Sequence, residues 1–326
     1  MTIEISGIKR AGHFVAVPRQ QRIILGTFAL ADATQDEFDA VLDTYLESGG
    51  EWIDTAFAYG YGSAELKLGS YIRRRGANVR ISTKIGHFPE APGYRRPGAV
   101  NDAFAAMQER LGRLPDQILL HEADWVVWWR DDGQPFQILP EGAMTPELQT
   151  APALLDVQAA AARAGIRWGF SGNNAPTLGR ASYRVTPDVV MVAKQYDLLW
   201  RSAEPLVEIA SMKEFDLWLA SPFHQSWLFR LPELARFGDE ANPQIARGAR
   251  ALEELTSATG RGIVDLAIPF LLDRHCDTRI VVGARSAEEI AGVINATREP
   301  LPIEVTDAID RIGFIASPMK SPQQLN

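Results

Sequence analysis

Short β-branched runs alternate with amphipathic stretches along almost the whole chain. RIILGTF (22–28) precedes TQDEFDAVLDTYLESG, where Thr34 suits a helix N-cap and Phe38, Val41, Leu42, Tyr45 and Leu46 form an apolar stripe. EWIDTA (51–56) is followed by GSAELKLGSYIRRR, and VRISTKIG (79–86) by PGAVNDAFAAMQERLGR, with Pro97 fit for a first helical turn. DQILLHE (116–122) precedes PALLDVQAAAARAG, and IRWGFSG (166–172) precedes APTLGRASY. DVVMVAKQYD (188–197) leads to AEPLVEIASMKE, and FDLWLASPF (215–223) leads eventually to GIVDLAIPFLLDR. TRIVVGA (278–284) leads to SAEEIAGVINAT.

These are eight strand–helix units between residues 22 and 297, with no Pro/Gly/Ser-rich linker dividing them. The strands read as continuous apolar runs, the pattern of parallel strands buried on both faces. Eight undivided units predict an α/β fold of the (β/α)8 TIM-barrel type, one domain over residues 1–326 with its core at about 20–300. A doubly wound sheet is the rival. It calls for a G-x-G-x-x-G turn after the first strand, and none is present.

The barrel makes sense of polar residues that end otherwise apolar strands. Catalytic groups in this architecture stand at the C-terminal strand ends and in the loops beyond them. Asp54 closes strand 2, Tyr59 follows in its glycine-rich loop, Lys84 closes strand 3 and His121 closes strand 4. A phenol is a weak acid with a pKa near 10, and an ammonium beside it favours the phenolate. An aspartate holds that lysine charged, and an imidazole can donate to the same substrate oxygen. The set is a general acid aimed at a carbonyl oxygen, suited to hydride addition or its reverse.

Composition narrows the setting. With 46% hydrophobic and 23% charged residues, the 326-residue chain can bury a full core. A net charge of −8 argues against nucleic acid or an anionic membrane as partner. One cysteine (Cys276) excludes a disulfide framework and fits a reducing compartment. The N-terminal residues lack an apolar run of signal-peptide length, and no 18 apolar residues run together, so a cytoplasmic protein is expected. His13, His87, His224 and His275 show no H-x-x-x-H spacing and no spaced Asp/Glu partner, so no metal site is expected.

At six ordered segments the chain resembles the aldo-keto reductase superfamily, with features of its aldose and sugar dehydrogenase-like branches. DTAFAYG is similar to the family's D-T-A-x-x-Y-G, ISTKIG to its lysine strand and ILLHEAD to its histidine strand. WGFSG, KQYDLL and IVVGARSAEEI resemble its later segments. The resemblance implies that Tyr59 donates the proton, Lys84 lowers its pKa, Asp54 pairs with Lys84 and His121 orients the carbonyl. It implies a nicotinamide dinucleotide, NADPH favoured and NADH possible, extended across the barrel mouth. Ser171 and Gln195 would hold its carboxamide, with Gly172 beside them and Ser221 in the loop after strand 7 also on the cofactor side. Gly283, Arg285, Ser286 and Glu289 belong to the segment that reaches the adenosine 2′-phosphate. The substrate would be a small carbonyl or alcohol.

Departures from the family gather on the cofactor side. Gly172 replaces the usual asparagine, and Ala220 stands where many members stack an aromatic on the nicotinamide. His224 and Ser226 replace two loop glycines, whose positive φ allows close approach to a pyrophosphate, and Val293 replaces an adenine-contacting asparagine. The loop over 122–149, above the catalytic face, carries Trp125, Trp128, Trp129 and Phe136, either as substrate contacts or as pins to the barrel. Residues 300–326 form a C-terminal segment. Two other functions stay open: a redox-neutral acid–base enzyme using the same quartet, and a nucleotide-binding regulatory subunit. Oligomeric state and substrate identity are not legible.

Overall fold

The computed structural model describes residues 17–88, 91–130, 135–140, 143, 152–275 and 278–314. Cys276, His13, parts of the 122–149 loop and residues beyond 314 lie outside them. Eight parallel strands close into a barrel in sequence order. They are β1 (Ile23–Gly26), β2 (Trp52–Asp54), β3 (Arg80–Ile85), β4 (Gln117–Leu120), β5 (Arg167–Gly172), β6 (Val189–Ala193), β7 (Asp216–Ala220) and β8 (Arg279–Gly283). The expected (β/α)8 barrel is the fold.

The helices are α1 (Gln35–Glu47), α2 (Ser63–Arg75), α3 (Ala99–Leu111), α4 (Pro152–Ala164), α5 (Ala175–Arg184) and α6 (Glu204–Lys213). They continue as α7 (Leu231–Ala241), α8 (Pro243–Thr259), α9 (Ile263–Arg274), α10 (Ala287–Ala296) and α11 (Ile303–Ile312). Thr34 caps α1 in a full capping box with Glu37. Pro97 does not enter α3, because left-handed Gly98 (φ 80°) caps that helix and Ala99 begins it. No single described helix is long and apolar enough to cross a membrane.

Strand alternation divides the core into two. Residues of one parity fill the barrel interior: Ile24, Trp52, Leu119, Val189, Met191, Trp218, Ala220 and Val281. Trp52 and Trp218 meet edge-on there at 5.3 Å. The other parity packs outward against the helices in a continuous apolar layer. Gly169 is required by this closure, because a Cβ on it would lie 1.8 Å from the Val189 carbonyl oxygen. On the inward parity, two residues beyond Trp52 and Leu119, come Asp54 and His121, and Lys84 is in register with Leu119. The packing rule that buries the tryptophans thus aims these three groups into the mouth.

Candidate active site

Lys84 is the centre of the mouth. Its Nζ donates to Asp54 Oδ2 at 2.6 Å, to the Thr55 carbonyl at 2.9 Å and to Tyr59 Oη at 2.9 Å. All three ammonium protons are therefore used, which a buried lysine requires. Asp54 and Lys84 are buried. Behind the strand, Thr83 donates to Glu65 Oε1 at 2.6 Å and Arg110 to Glu65 Oε2 at 2.6 Å, tying α2, α3 and β3 together beneath the lysine.

Tyr59 sits in a turn that only its neighbours make possible. Gly60, Tyr61 and Gly62 all have positive φ (64°, 50° and 92°), and the Gly62 N–H closes back on the Phe57 carbonyl at 2.6 Å. The phenol ring meets Phe28 edge-on at 5.2 Å and His121 at 6.0 Å. Phe28 is largely exposed in the loop after β1. It was not singled out from sequence, although its place just past a strand's C-terminal end was the available clue.

His121 is held through its backbone. Trp128 Nε1 donates to the His121 carbonyl at 3.0 Å, and Trp129 Nε1 to the Ala123 carbonyl at 2.8 Å. Both indoles are fully buried. The expectation that Trp128 and Trp129 touch substrate is therefore corrected: an indole N–H taken from water needs a partner, and these two find theirs in the main chain. Trp125 is only partly buried and lies beside His87 at 4.9 Å. It stays open to a ligand.

Electrostatics follow from burial. Burial pulls the Lys84 ammonium's pKa down, but Asp54 and Tyr59 more than reverse this and hold it above its ordinary value. Burial raises the Tyr59 phenol above its usual value; Lys84 lowers it only in part, while Asp54 raises it further. Lys84 acts in the expected direction, but burial outweighs it, and the phenol is held protonated at neutral pH. Burial, then Lys84 and His87, keeps His121 well below the usual histidine range and hence neutral. Beyond β4, burial and neighbouring Asp124 push Glu122 up to about 8, and burial lifts Asp124 to about 6. Burial lowers Lys194 across from them.

The cofactor-side residues lie on the strand ends that follow. Ser171 Oγ donates to the Leu120 carbonyl at 3.0 Å. Gly172 has no room for a side chain, since a Cβ would stand 2.7 Å from Asp124 Oδ1. Buried Asp124 fills the space an asparagine would use. Gln195 is buried with Oε1 lacking any partner, an acceptor suited to a carboxamide N–H. Residues fit for a nicotinamide are thus present. After β7, Ser221, His224, Gln225 and Ser226 all adopt positive φ (60°, 48°, 52° and 70°). The left-handed turn that glycines would favour is retained without them. His224, for which spacing revealed no partner, binds Asp197 Oδ2 through Nδ1 at 2.8 Å and stacks on Trp200 at 3.7 Å.

At the last strand, Gly283 ends β8 and Ser286 caps α10, its Oγ accepting from the Glu289 N–H at 3.3 Å. Glu289 Oε2 accepts from the Arg285 N–H at 2.7 Å. These two side chains hold the helix entry, while the Arg285 side chain is exposed with no ion pair among the described residues. The quartet, Ser171, Gly172, Gln195, Ser221, Gly283 and Arg285 all stand at the C-terminal strand ends, around one mouth.

The family model described as "Aldo/keto reductase family" matches residues 22–313, and the chain belongs to that family of carbonyl and alcohol oxidoreductases, which use nicotinamide cofactors. Among solved structures it is similar to the glycerol dehydrogenase AKR11B4 from Gluconobacter oxydans, with 17% identity, TM-score 0.65, and coverage of 89% of this chain and 90% of that one. It is also similar to the aldo-keto reductase AKR11C1 from Bacillus halodurans (holo form), with 18% identity, TM-score 0.66, and coverage of 93% and 95%. At such identities the likeness is one of fold. No curated protein sequence matches the chain.

Proposed function

We propose that this chain interconverts a small carbonyl and its alcohol, with Tyr59 as general acid and a nicotinamide dinucleotide, NADPH in preference to NADH, as redox partner. The observation that carries the reading is the Lys84 ammonium, shared between Asp54 at 2.6 Å and Tyr59 Oη at 2.9 Å at the mouth of the barrel. A nicotinamide, once bound, supplies or accepts the hydride. Everything else falls to the protein. In reduction the carbonyl oxygen lies against Tyr59 and His121; Tyr59 gives up its proton as negative charge develops, and Lys84 stabilises the phenolate left behind. Asp54 keeps Lys84 charged and fixed. Neutral His121 donates a hydrogen bond without competing as an acid.

Gln195 and Ser171 would orient the carboxamide, and exposed Arg285 beyond β8 offers a cation for a 2′-phosphate. Phe28 beside Tyr59 and Trp125 beside His87 give the mouth two aromatic walls, which favours a flat or aromatic carbonyl over an open-chain polyol.

Titration of the purified protein with NADPH and NADH, followed by fluorescence transfer from its eight tryptophans, tests the reading. Submicromolar NADPH binding is expected. Absence of binding to either nucleotide overturns it and leaves redox-neutral acid–base chemistry on the same quartet.

A further inference from the structure

The ends of β3 and β4 assemble a second group of side chains that proton and hydride transfer leave mostly unused. His87, His121 and Glu122 each present one ligand atom, and these atoms lie within 4.8 Å of one another, the one such group among the described residues. Spacing along the chain hides it, because the ligands come from two strands. Ile85 and Leu120 are in register, so the residues just beyond them emerge side by side.

Three further observations point to a ligand. His87 and Glu122 both adopt left-handed backbone (φ 54° each), a conformation that a non-glycine residue rarely holds without constraint. The His87 ring lies against His121 at 4.3 Å, and its Nε2 is buried with no partner. Glu122 is oriented from outside by Asn173, whose Nδ2 donates to Oε2 at 2.5 Å, as carboxylate ligands of metals commonly are. Trp125 covers the His87 ring. Of the cations facing the group, Lys84 from β3 is paired with Asp54, and Lys194 after β6 stands across from Glu122 and Asp124.

Two imidazoles and one carboxylate are the donor set of a borderline transition ion with an open fourth position, whereas magnesium and calcium prefer oxygen alone. We propose that His87, His121 and Glu122 form a site for one divalent transition-metal ion of the zinc class, its open position facing the mouth beside Tyr59. Because the metal takes His121, its binding and the placement of a carbonyl by His121 exclude one another. That consequence rests on the proposed oxidoreductase reading, but the binding does not.

The test uses the full-length, nucleotide-free chain titrated with Co2+ and watched in the visible spectrum. One Co2+ per chain with the strong bands of a low-coordinate site is expected, displaced by Zn2+ but not by Mg2+ or Ca2+. His87→Ala and the isosteric Glu122→Gln should each weaken binding at least about tenfold, and Asn173→Ala by roughly 10–100-fold through misorientation of Glu122. Circular dichroism and melting identify any variant that fails to fold, and Glu122→Gln carries the test if His87→Ala does. Absence of the bands, or binding equal in wild type and a folded Glu122→Gln, overturns the site. Intact Co2+ binding in a protein that takes neither nucleotide leaves the site standing while the oxidoreductase reading falls.

Discussion

On the β2–β4 side of the mouth, geometry is made largely by side chains: Lys84 spends its three protons on Asp54, which strand parity aims inward, on the Thr55 carbonyl and on Tyr59, which the Gly60–Gly62 turn positions. On the β7 side it is made by backbone. Ser221, His224, Gln225 and Ser226 hold left-handed conformations that the two missing glycines would have adopted more easily. On the proposed reading a residue identity can be lost on the second side without losing the role of the segment, because a phosphate would meet the direction of N–H groups. On the first side there is no such substitute: the chemistry is the side chain.

The largest effect should come from the first side. Tyr59→Phe removes the proton donor and leaves Lys84 and Asp54 paired, so carbonyl reduction should fall at least ~10²–10⁴-fold in kcat with nucleotide affinity nearly unchanged. A variant keeping more than about a tenth of wild-type turnover would remove Tyr59 from the mechanism. The raised phenol pKa adds a direction. The proton is present throughout neutral pH, so reduction should be flat there. Alcohol oxidation needs the phenolate and should rise with pH into the alkaline range, about tenfold per unit. A pH–rate profile in both directions reads this. An oxidation rate that plateaus below pH about 8 would mean the phenol is not raised in the working enzyme.

Next in size are the two kinds of tryptophan. Trp128→Ala leaves a cavity and frees the His121 carbonyl, so it should cost about 3–5 kcal/mol of stability. Trp125→Ala should leave melting nearly unchanged and raise KM for bulky aromatic carbonyls roughly tenfold, the loss of one stacking contact. Thermal melts beside kinetics on a carbonyl panel separate them. Equal stability losses with unchanged KM would make Trp125 a pin as well.

The same contrast explains what could be read beforehand. All eight strands were legible, since runs such as RIILGTF and TRIVVGA are apolar on both faces, and Asp54, Lys84 and His121 mark the ends of β2, β3 and β4. Helices α7, α8 and α11 were not separated from their surroundings. They stand outside the eight-unit repeat, and Gly238 lets α7 and α8 pack backbone to backbone: a Cβ there would lie 2.4 Å from Ala246 N. The tryptophans were legible as aromatic but not as donors, because an indole's partner is a main-chain carbonyl with no sequence signature. The left-handed run at His224–Ser226 was hidden for a related reason: positive φ is usually announced by glycine, and here non-glycine residues adopt it, with His224 anchored on Asp197 and Trp200.

Arg285 lies between the two cases, a side chain on a helix entry built by others. Arg285→Ala should weaken NADPH by about 1.5–3 kcal/mol, a charge-assisted contact, and leave NADH unaffected. Ser286 and Glu289 still cap α10 in this variant, so the fold should not change. Parallel titrations with both nucleotides decide it. Equal weakening of the two would assign Arg285 to the shared part of the dinucleotide, and no weakening would remove it from the site.

The smallest effect should come from the β7 loop, and it runs in the unusual direction. Ser226 is exposed, sits at φ 70° and ψ 4°, and its side chain caps nothing. A non-glycine residue in this conformation costs roughly 1–2 kcal/mol, and glycine gives back about 0.5–1 kcal/mol of that through its freer unfolded state. Ser226→Gly should therefore stabilise the protein by about 0.5–1 kcal/mol, a rise of roughly 1–3 °C in Tm. Ser226→Val, β-branched at positive φ, should do the reverse. If backbone direction is what this loop contributes, glycine should also preserve NADPH affinity while valine lowers it. Should Ser226→Gly destabilise the protein, or weaken NADPH as much as valine does, the serine hydroxyl itself matters. The β7 side of the mouth would then work by side-chain chemistry, as the β2–β4 side does.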